Sequence, residues 1–292
     1  MIKKTFLWLL PFLLIAAGCQ KNTKTPTPPT ALVSVAPYAY FVHKIAGSDF
    51  PVQILVPEDS NPHVYEPKPR QVQAMANAHL WVRLGDPADQ KAYNVFKERN
   101  PNMVIADVTQ EVPMLSECGE DHHSHCHHDG NDLHIWLSPR LAKIQAKTIA
   151  DGLIAAFPEM RLRFETGLSA FLAELDSLDH ELSLLLKPKE NTAILVSHPA
   201  FAYFCQDYHL TQLSIETEGK DPLPQHVTEL LNEAKRLKVT AVLLQPQYSN
   251  KGAELIAQEL KLPTAMVNPY AEDYVDNLRQ IAQIIAKHNE LQ

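Results

Sequence analysis

Two long helical stretches stand back to back in the middle of this chain, and they limit how the rest can be arranged. Residues 140–156 and 161–186 both show helical periodicity, with only a four-residue break that opens on Phe157-Pro158 between them. In the second stretch, Leu168, Leu172, Leu175, Leu178, Leu182 and Leu185 recur at spacings of three and four. That spacing puts them on one apolar face. On either side, short apolar runs rich in β-branched residues alternate with helical patterns, as in βαβ units built around a mainly parallel sheet. Strands are expected at 32–35, 52–56, 80–84 and 103–108, with helices at 38–45, 70–78 and 89–99. A second set of strands is expected at 193–197, 239–244 and 264–267, with helices at 201–208, 225–237, 253–260 and 272–288. The expectation is an α/β protein of two lobes with central, mainly parallel sheets, joined by a long rigid helix. The lobes would span 31–157 and 189–292 and the linking helix 158–188. A single doubly wound domain with a helical insertion is the alternative.

The N-terminus points to export. Lys3 and Lys4 precede an apolar run over 6–17. Twelve residues are too few to span a bilayer, which takes about 20, but they suit the core of a signal peptide covering residues 1–18. The run ends in Ala16-Ala17-Gly18-Cys19, which resembles a bacterial lipobox whose cysteine becomes the lipidated N-terminus; Ala16 stands where that pattern prefers leucine. An ordinary signal peptide with an incidental cysteine is the alternative. Residues 19–30 are polar and proline-rich, a tether rather than a folded segment.

A formal net charge of −8, with no Lys/Arg cluster after the leader, argues against nucleic acid as a partner. Cys118, Cys126 and Cys205 remain beside Cys19 and allow at most one disulfide among themselves. Cys118 with Cys126 is the shortest closure, although Cys126 sits among histidines and is equally a candidate metal ligand.

Fourteen histidines fall into three groups. His63 lies in Asn61-Pro62-His63-Val64-Tyr65-Glu66-Pro67, after the second expected strand. His134 lies in Asp132-Leu133-His134-Ile135-Trp136-Leu137, and His198 follows a strand in Ser197-His198-Pro199-Ala200-Phe201. Ligands of open α/β sheets bind at the carboxyl ends of strands, where His63 and His198 stand. Neutral imidazole suits zinc, copper, nickel and iron, yet a lone loop histidine is more often a satisfied structural residue than a ligand. The second group, His122, His123, His125, His127 and His128, packs five histidines into seven residues of a polar loop at 118–132. His43, His79, His180, His209, His226 and His288 match no ligand pattern.

Taken in order, these motifs resemble the metal-binding lipoproteins of bacterial ABC importers, the ZnuA/TroA-like (cluster A-I) family. The likeness extends through Glu216-Thr217-Glu218-Gly219-Lys220-Asp221-Pro222, Gln245-Pro246-Gln247 and Asn268-Pro269-Tyr270. It implies a monomeric, non-enzymatic solute-binding protein, anchored to a membrane by lipid, that serves an importer's permease and ATPase. It assigns His63, His134 and His198 as ligands and associates the histidine-rich loop with zinc-specific members. The family often has aspartate where Asn268 stands here. The fourth position is then left to water, Asn268 or a carboxylate such as Glu216 or Glu218. Three neutral histidines favour zinc over manganese or iron. Three histidines and a water also describe a zinc hydrolase, but the chain has no His-Glu-x-x-His. A surface adhesin or zinc buffer shares every feature of the binding-protein reading.

Overall fold

The computed structural model describes residues 28–116, 130–216 and 224–287. The leader, Cys19, most of the tether, Cys118, Cys126, the histidine cluster, Glu218 and His288 lie outside the described residues. The first half opens with β1 (Ala31–Val35), all five residues of which are buried. Burial on both faces explains its apolar character, broken only by Ser34, whose hydroxyl bonds to Asp89 and the Val82 carbonyl, and suits an inner strand of a parallel sheet. Next come α1 (Pro37–Ala46), β2 (Val52–Val56), α2 (Pro69–Met75), β3 (Leu80–Arg83), α3 (Pro87–Arg99) and β4 (Val104–Asp107). The strands form one parallel sheet in the order β2-β1-β3-β4. After α4 (Pro139–Ala156) and α5 (Arg161–Leu186), the plan repeats with β5 (Ala193–Val196), α6 (Ala202–Asp207), β6 (Thr211–Ser214), α7 (Pro224–Arg236), β7 (Val239–Leu244), α8 (Lys251–Leu260), β8 (Thr264–Met266) and α9 (Tyr274–Lys287). The second sheet is also parallel, in the order β6-β5-β7-β8. Two separate sheets rule out the single doubly wound domain.

In each sheet the chain moves from its first strand to one side and then returns on the other, so the order reverses beside β1 and beside β5. Such switch points open a crevice at the carboxyl ends of the strands. Proline marks the entry to α1 to α4, at Pro37, Pro69, Pro87 and Pro139. At the first helical position its missing N–H costs no hydrogen bond.

β6 is absent from the sequence reading. Thr-Gln-Leu-Ser offers no apolar run, and none of its four residues is fully buried because it is an edge strand. The face of α5 is also drawn differently. Phe164, Phe171, Leu175, Leu178, Leu182 and Leu186 are buried, whereas Leu168, Leu172 and Leu185 are only half-buried beside them. The large aromatic groups, not the leucines alone, define the stripe.

α5, about 39 Å long by its residue count, packs on α1, α4 and α9. One apolar core runs from the first sheet through these helices to the inner face of β5 and β7. A smaller core lies on the other face of the second sheet. Gly167 makes the closest approach on α5: a Cβ added there would stand 2.1 Å from the carbonyl oxygen of Ile45. In a solvated helix, Gly→Ala would add about 1 kcal/mol of stability, but overpacking against rigid backbone typically costs about 1–3 kcal/mol. Gly167→Ala is therefore expected to lower the melting temperature in calorimetry; a rise would show that α1 and α5 are not in this contact.

Candidate metal centre

The turn after β2 carries His63. Its backbone N–H donates to Asn61 Oδ1 at 2.9 Å, a local closure typical of asparagine. Tyr65 OH donates to Gln71 Oε1 at 3.0 Å, and Gln71 Nε2 donates to the Leu55 carbonyl at 2.9 Å. Those bonds tie the turn to both β2 and α2. His134 immediately precedes the 3-10 turn Ile135–Leu137 that leads into α4. His198 follows β5, and its backbone N–H donates to Gln245 Oε1, beyond the end of β7, at 2.6 Å.

These elements bring three imidazoles together. One ring nitrogen from each of His63, His134 and His198 lies within 4.8 Å of the others. His63 Nε2 and His198 Nε2 are 3.1 Å apart. Two nitrogens bound to one tetrahedral zinc, each at about 2.0–2.1 Å, stand roughly 3.3 Å apart, so this pair is already near ligating distance. His134 and His198 are buried; His63 is exposed as a residue, but its ring is turned in against theirs, with centroids 4.8 Å from His198 and 5.9 Å from His134, which desolvates the imidazole.

Carboxylates orient two of the rings. Asp132 Oδ1 accepts from both His134 Nδ1, at 2.7 Å, and the His134 backbone N–H. Glu216 Oε2 accepts from His198 Nδ1 at 2.9 Å. A proton held on Nδ1 leaves Nε2 with a free lone pair, the arrangement a metal-ligating histidine needs. Glu216 gets there because Ile215 and Glu216 continue from β6 and donate to the Val196 and Ser197 carbonyls. The edge strand missed in the sequence is thus what delivers this carboxylate.

Burial, and after it the neighbouring His134, lowers the His63 pKa from 6.5 to about 4. The same two causes, with His63 third, push His198 well below the ordinary value. Both are therefore neutral at neutral pH and need lose no proton to accept a cation.

The other residues singled out from sequence fare differently. Glu216 stands behind the His198 ring, on its Nδ1 side, rather than among the converging Nε2 atoms. Asn268 makes no hydrogen bond to the three imidazoles among the described residues: its Oδ1 accepts from Gln247 Nε2 at 2.7 Å and from the Tyr270 N–H at 2.9 Å. Those bonds occupy both lone pairs of the amide oxygen. Glu66 turns outward to Lys91 at 2.9 Å. Phe201 is plain core, and Cys205 is buried and free.

Sequence reasoning gave no role to two tyrosines. Tyr270 OH stands 2.8 Å from His134 Nε2 and 3.2 Å from Tyr248 OH. Tyr248 stacks on His198 with centroids 4.0 Å apart and planes 4° from parallel. Burial raises both phenol pKa values, so they remain neutral hydroxyls. Their only signal was position after β7 and β8: Tyr270 within the Asn268-Pro269-Tyr270 motif and Tyr248 directly after Gln245-Pro246-Gln247. Beside the rings opens a cavity of about 500 Å³, lined by His63, His134, Trp136, Tyr270, Leu84 and Asp86 among others.

The sequence profile of the ZnuA family, zinc-uptake complex component A periplasmic, matches residues 32–288. The chain belongs to this family. It is a cluster A-I metal-binding protein, and the ZnuA family consists of solute-binding components of importers rather than enzymes. A solved ZnuA structure, of a deletion mutant with zinc bound, is 38% identical with a TM-score of 0.81, covering 91% of this chain and 100% of that one. A Chlamydia muridarum protein named for metal binding, with no metal specified, is 29% identical over 282 residues, 95% of this chain and 99% of its own. FpvC of Pseudomonas aeruginosa, solved with Mn2+, is 18% identical with a TM-score of 0.76 over 90% of this chain and 98% of that one, and shares the fold.

The depressed histidines set the pH behaviour of the metal-free protein. The unfolded chain takes up protons near 6.5, while the folded site refuses them until about 4 in the case of His63. Stability therefore falls as pH drops from 6.5 toward 4. Thermal melts of metal-free protein across that window are expected to show this decline, and His198→Gln, which removes one of the two groups, a shallower one.

Proposed function

We propose that this protein captures zinc outside the cytoplasm and delivers it to the permease and ATPase of an ABC importer. The observation that carries the reading is the donor set: three converging imidazoles, two of which have their Nδ1 protons held by carboxylates, those of Asp132 and Glu216. All three ligands in this reading are neutral nitrogens, and both nearby carboxylates act behind the rings instead of on the ion. Manganese and calcium prefer oxygen donors, whereas zinc accepts three imidazoles and a water. Iron and manganese remain the alternatives to be tested. Water is assigned to the fourth position, since Glu216 and Asn268 are engaged elsewhere.

In this reading Cys19 carries the lipid that holds a monomer at the membrane surface, with residues 20–30 as its tether. Among the described residues no helix is long and apolar enough to cross a membrane. His122, His123, His125, His127 and His128 serve as a weak collecting site that feeds the crevice.

Competitive titration of the metal-free mature protein with zinc and manganese tests the assignment. Zinc is expected to bind more tightly than manganese. Alanine at His63, His134 or His198 is expected to weaken zinc by more than the roughly 10–100-fold typical of losing an outer-shell partner. Deleting 120–129 should leave the tight site intact. Tighter binding of manganese would overturn the metal assignment, and zinc affinity that survives His63→Ala but is lost with the loop would overturn the site.

A further inference from the structure

Of the three ligand rings, His63 is the one with no carboxylate behind it. Asp132 and Glu216 hold Nδ1 of His134 and His198, whereas among the described residues the His63 ring meets a hydrogen-bonding partner only in His198, through Nε2. Its place is therefore set by its loop, residues 57–64, which leaves β2 in the first lobe. That loop has little slack. Ser60 N–H donates to the Pro57 carbonyl at 3.0 Å, His63 N–H to Asn61 Oδ1 at 2.9 Å and Val64 N–H to the Asn61 carbonyl at 3.3 Å. Pro57 and Pro62 fix φ at two further points.

The second lobe grips this loop at one residue, Glu58. Gln247 Nε2, beyond the end of β7, donates to the Glu58 carbonyl at 2.5 Å. Asn268 Nδ2, beyond β8, reaches the same carbonyl at 3.4 Å. The Glu272 N–H, ahead of α9, donates to Glu58 Oε2 at 3.0 Å. Gln247 Nε2 also donates to Asn268 Oδ1 at 2.7 Å, so a flipped Gln247 amide would set three oxygens against one another. The amide keeps this orientation although Gln247 Oε1 is then buried without a partner among the described residues. Asn268 is held in turn by the Tyr270 N–H on its Oδ1 and by Asn277 Nδ2 on its carbonyl. An acid at 247 or 268 would turn lone pairs, not protons, toward Glu58.

We propose that Glu58, Gln247 and Asn268 form a clasp between the lobes that holds His63 at ligating distance from His198, and so sets how tightly the ion is kept. The proposal rests on the metal-binding reading above. With the clasp made, the His63 turn is in place before an ion arrives, and binding need not order it. With the clasp open, only a fraction of molecules present His63 to the other two rings, and the apparent affinity falls by that fraction. All three are positioning residues, since each acts on the ion only through His63. The clasp also gives Asn268 a task that a carboxylate could not perform, because Nδ2 is a donor.

Gln247→Leu removes the donor to the Glu58 carbonyl without adding charge. Glu58→Ala removes the acceptor of the Glu272 N–H, and Glu58→Gln, which loses the same charge but keeps an acceptor oxygen, is its control. In competitive zinc titration of the metal-free mature protein, Gln247→Leu and Glu58→Ala are each expected to bind about 2–10-fold more weakly than wild type, the loss of one ordinary hydrogen bond. Glu58→Gln is expected to bind like wild type. The His63→Ala background separates positioning from a general structural role. There Gln247→Leu is expected to cause no further loss, because the clasp acts through His63. Wild-type affinity in both Gln247→Leu and Glu58→Ala, or the same loss in the His63→Ala background, would overturn the proposal. If His63→Ala alone binds zinc like the wild type, the metal site itself has been misplaced, a failure distinct from that of the clasp.

Discussion

One apolar core joins the two lobes, and the site depends on that junction. α5 packs on α1 and α4 from the first half and on α9 from the second, with Phe41, Phe171 and Tyr274 meeting edge to face at 4.9–5.0 Å. Because each sheet is parallel, all its strands end on one side, and the shared core turns both sets of ends toward the same crevice. Polar bonds reinforce the junction near the site. Trp136 Nε1 donates to the Pro269 carbonyl, Tyr274 OH to the Trp136 carbonyl and Tyr203 OH to the Asp132 carbonyl. Gln247 Nε2 reaches the Glu58 carbonyl across the lobes. A continuous core of this kind favours local movement of the His63 turn over large hinge closure.

Within that frame the chemistry is arranged by what stands behind each ring. Asp132 and Glu216 choose the tautomers of His134 and His198, so lone pairs and not protons face the centre. Burial keeps His63 and His198 unprotonated, which removes the competition between protons and metal at neutral pH. Tyr270 OH meanwhile stands within hydrogen-bonding distance of both His134 Nε2 and Tyr248 OH. Gln245 Nε2, Gln247 Oε1 and Asp86 Oδ2, all near the centre, are buried without a hydrogen-bond partner among the described residues.

Much of this was legible in the sequence. The alternation of β-branched runs with helical periodicities gave seven of the eight strands and both central helices, and the three histidine motifs named the residues that converge. β6 was hidden because an edge strand need not be apolar. With it went the orientation of Glu216, which sequence could place near the site but not behind His198. Asn268 stood at the expected position, yet its bonds to Gln247 and Tyr270 depend on β7 and β8 being neighbours. Tyr270 ends one of the motifs and Tyr248 directly follows another, yet neither showed a role by its place in the sequence. Their importance comes from burial and from the crevice between strand ends, properties of the folded chain that spacing along it does not encode.

The central claim is that the ion sits on three imidazole nitrogens between the lobes. X-ray absorption at the zinc edge of the singly loaded full-length protein tests it most directly. The expected result is a first shell of three imidazole nitrogens and one oxygen at about 2.0–2.1 Å, with the outer-shell scattering of rigid rings. A sulfur at about 2.3 Å, which would implicate Cys126 and the histidine-rich loop, or a shell made mostly of oxygens, would contradict it.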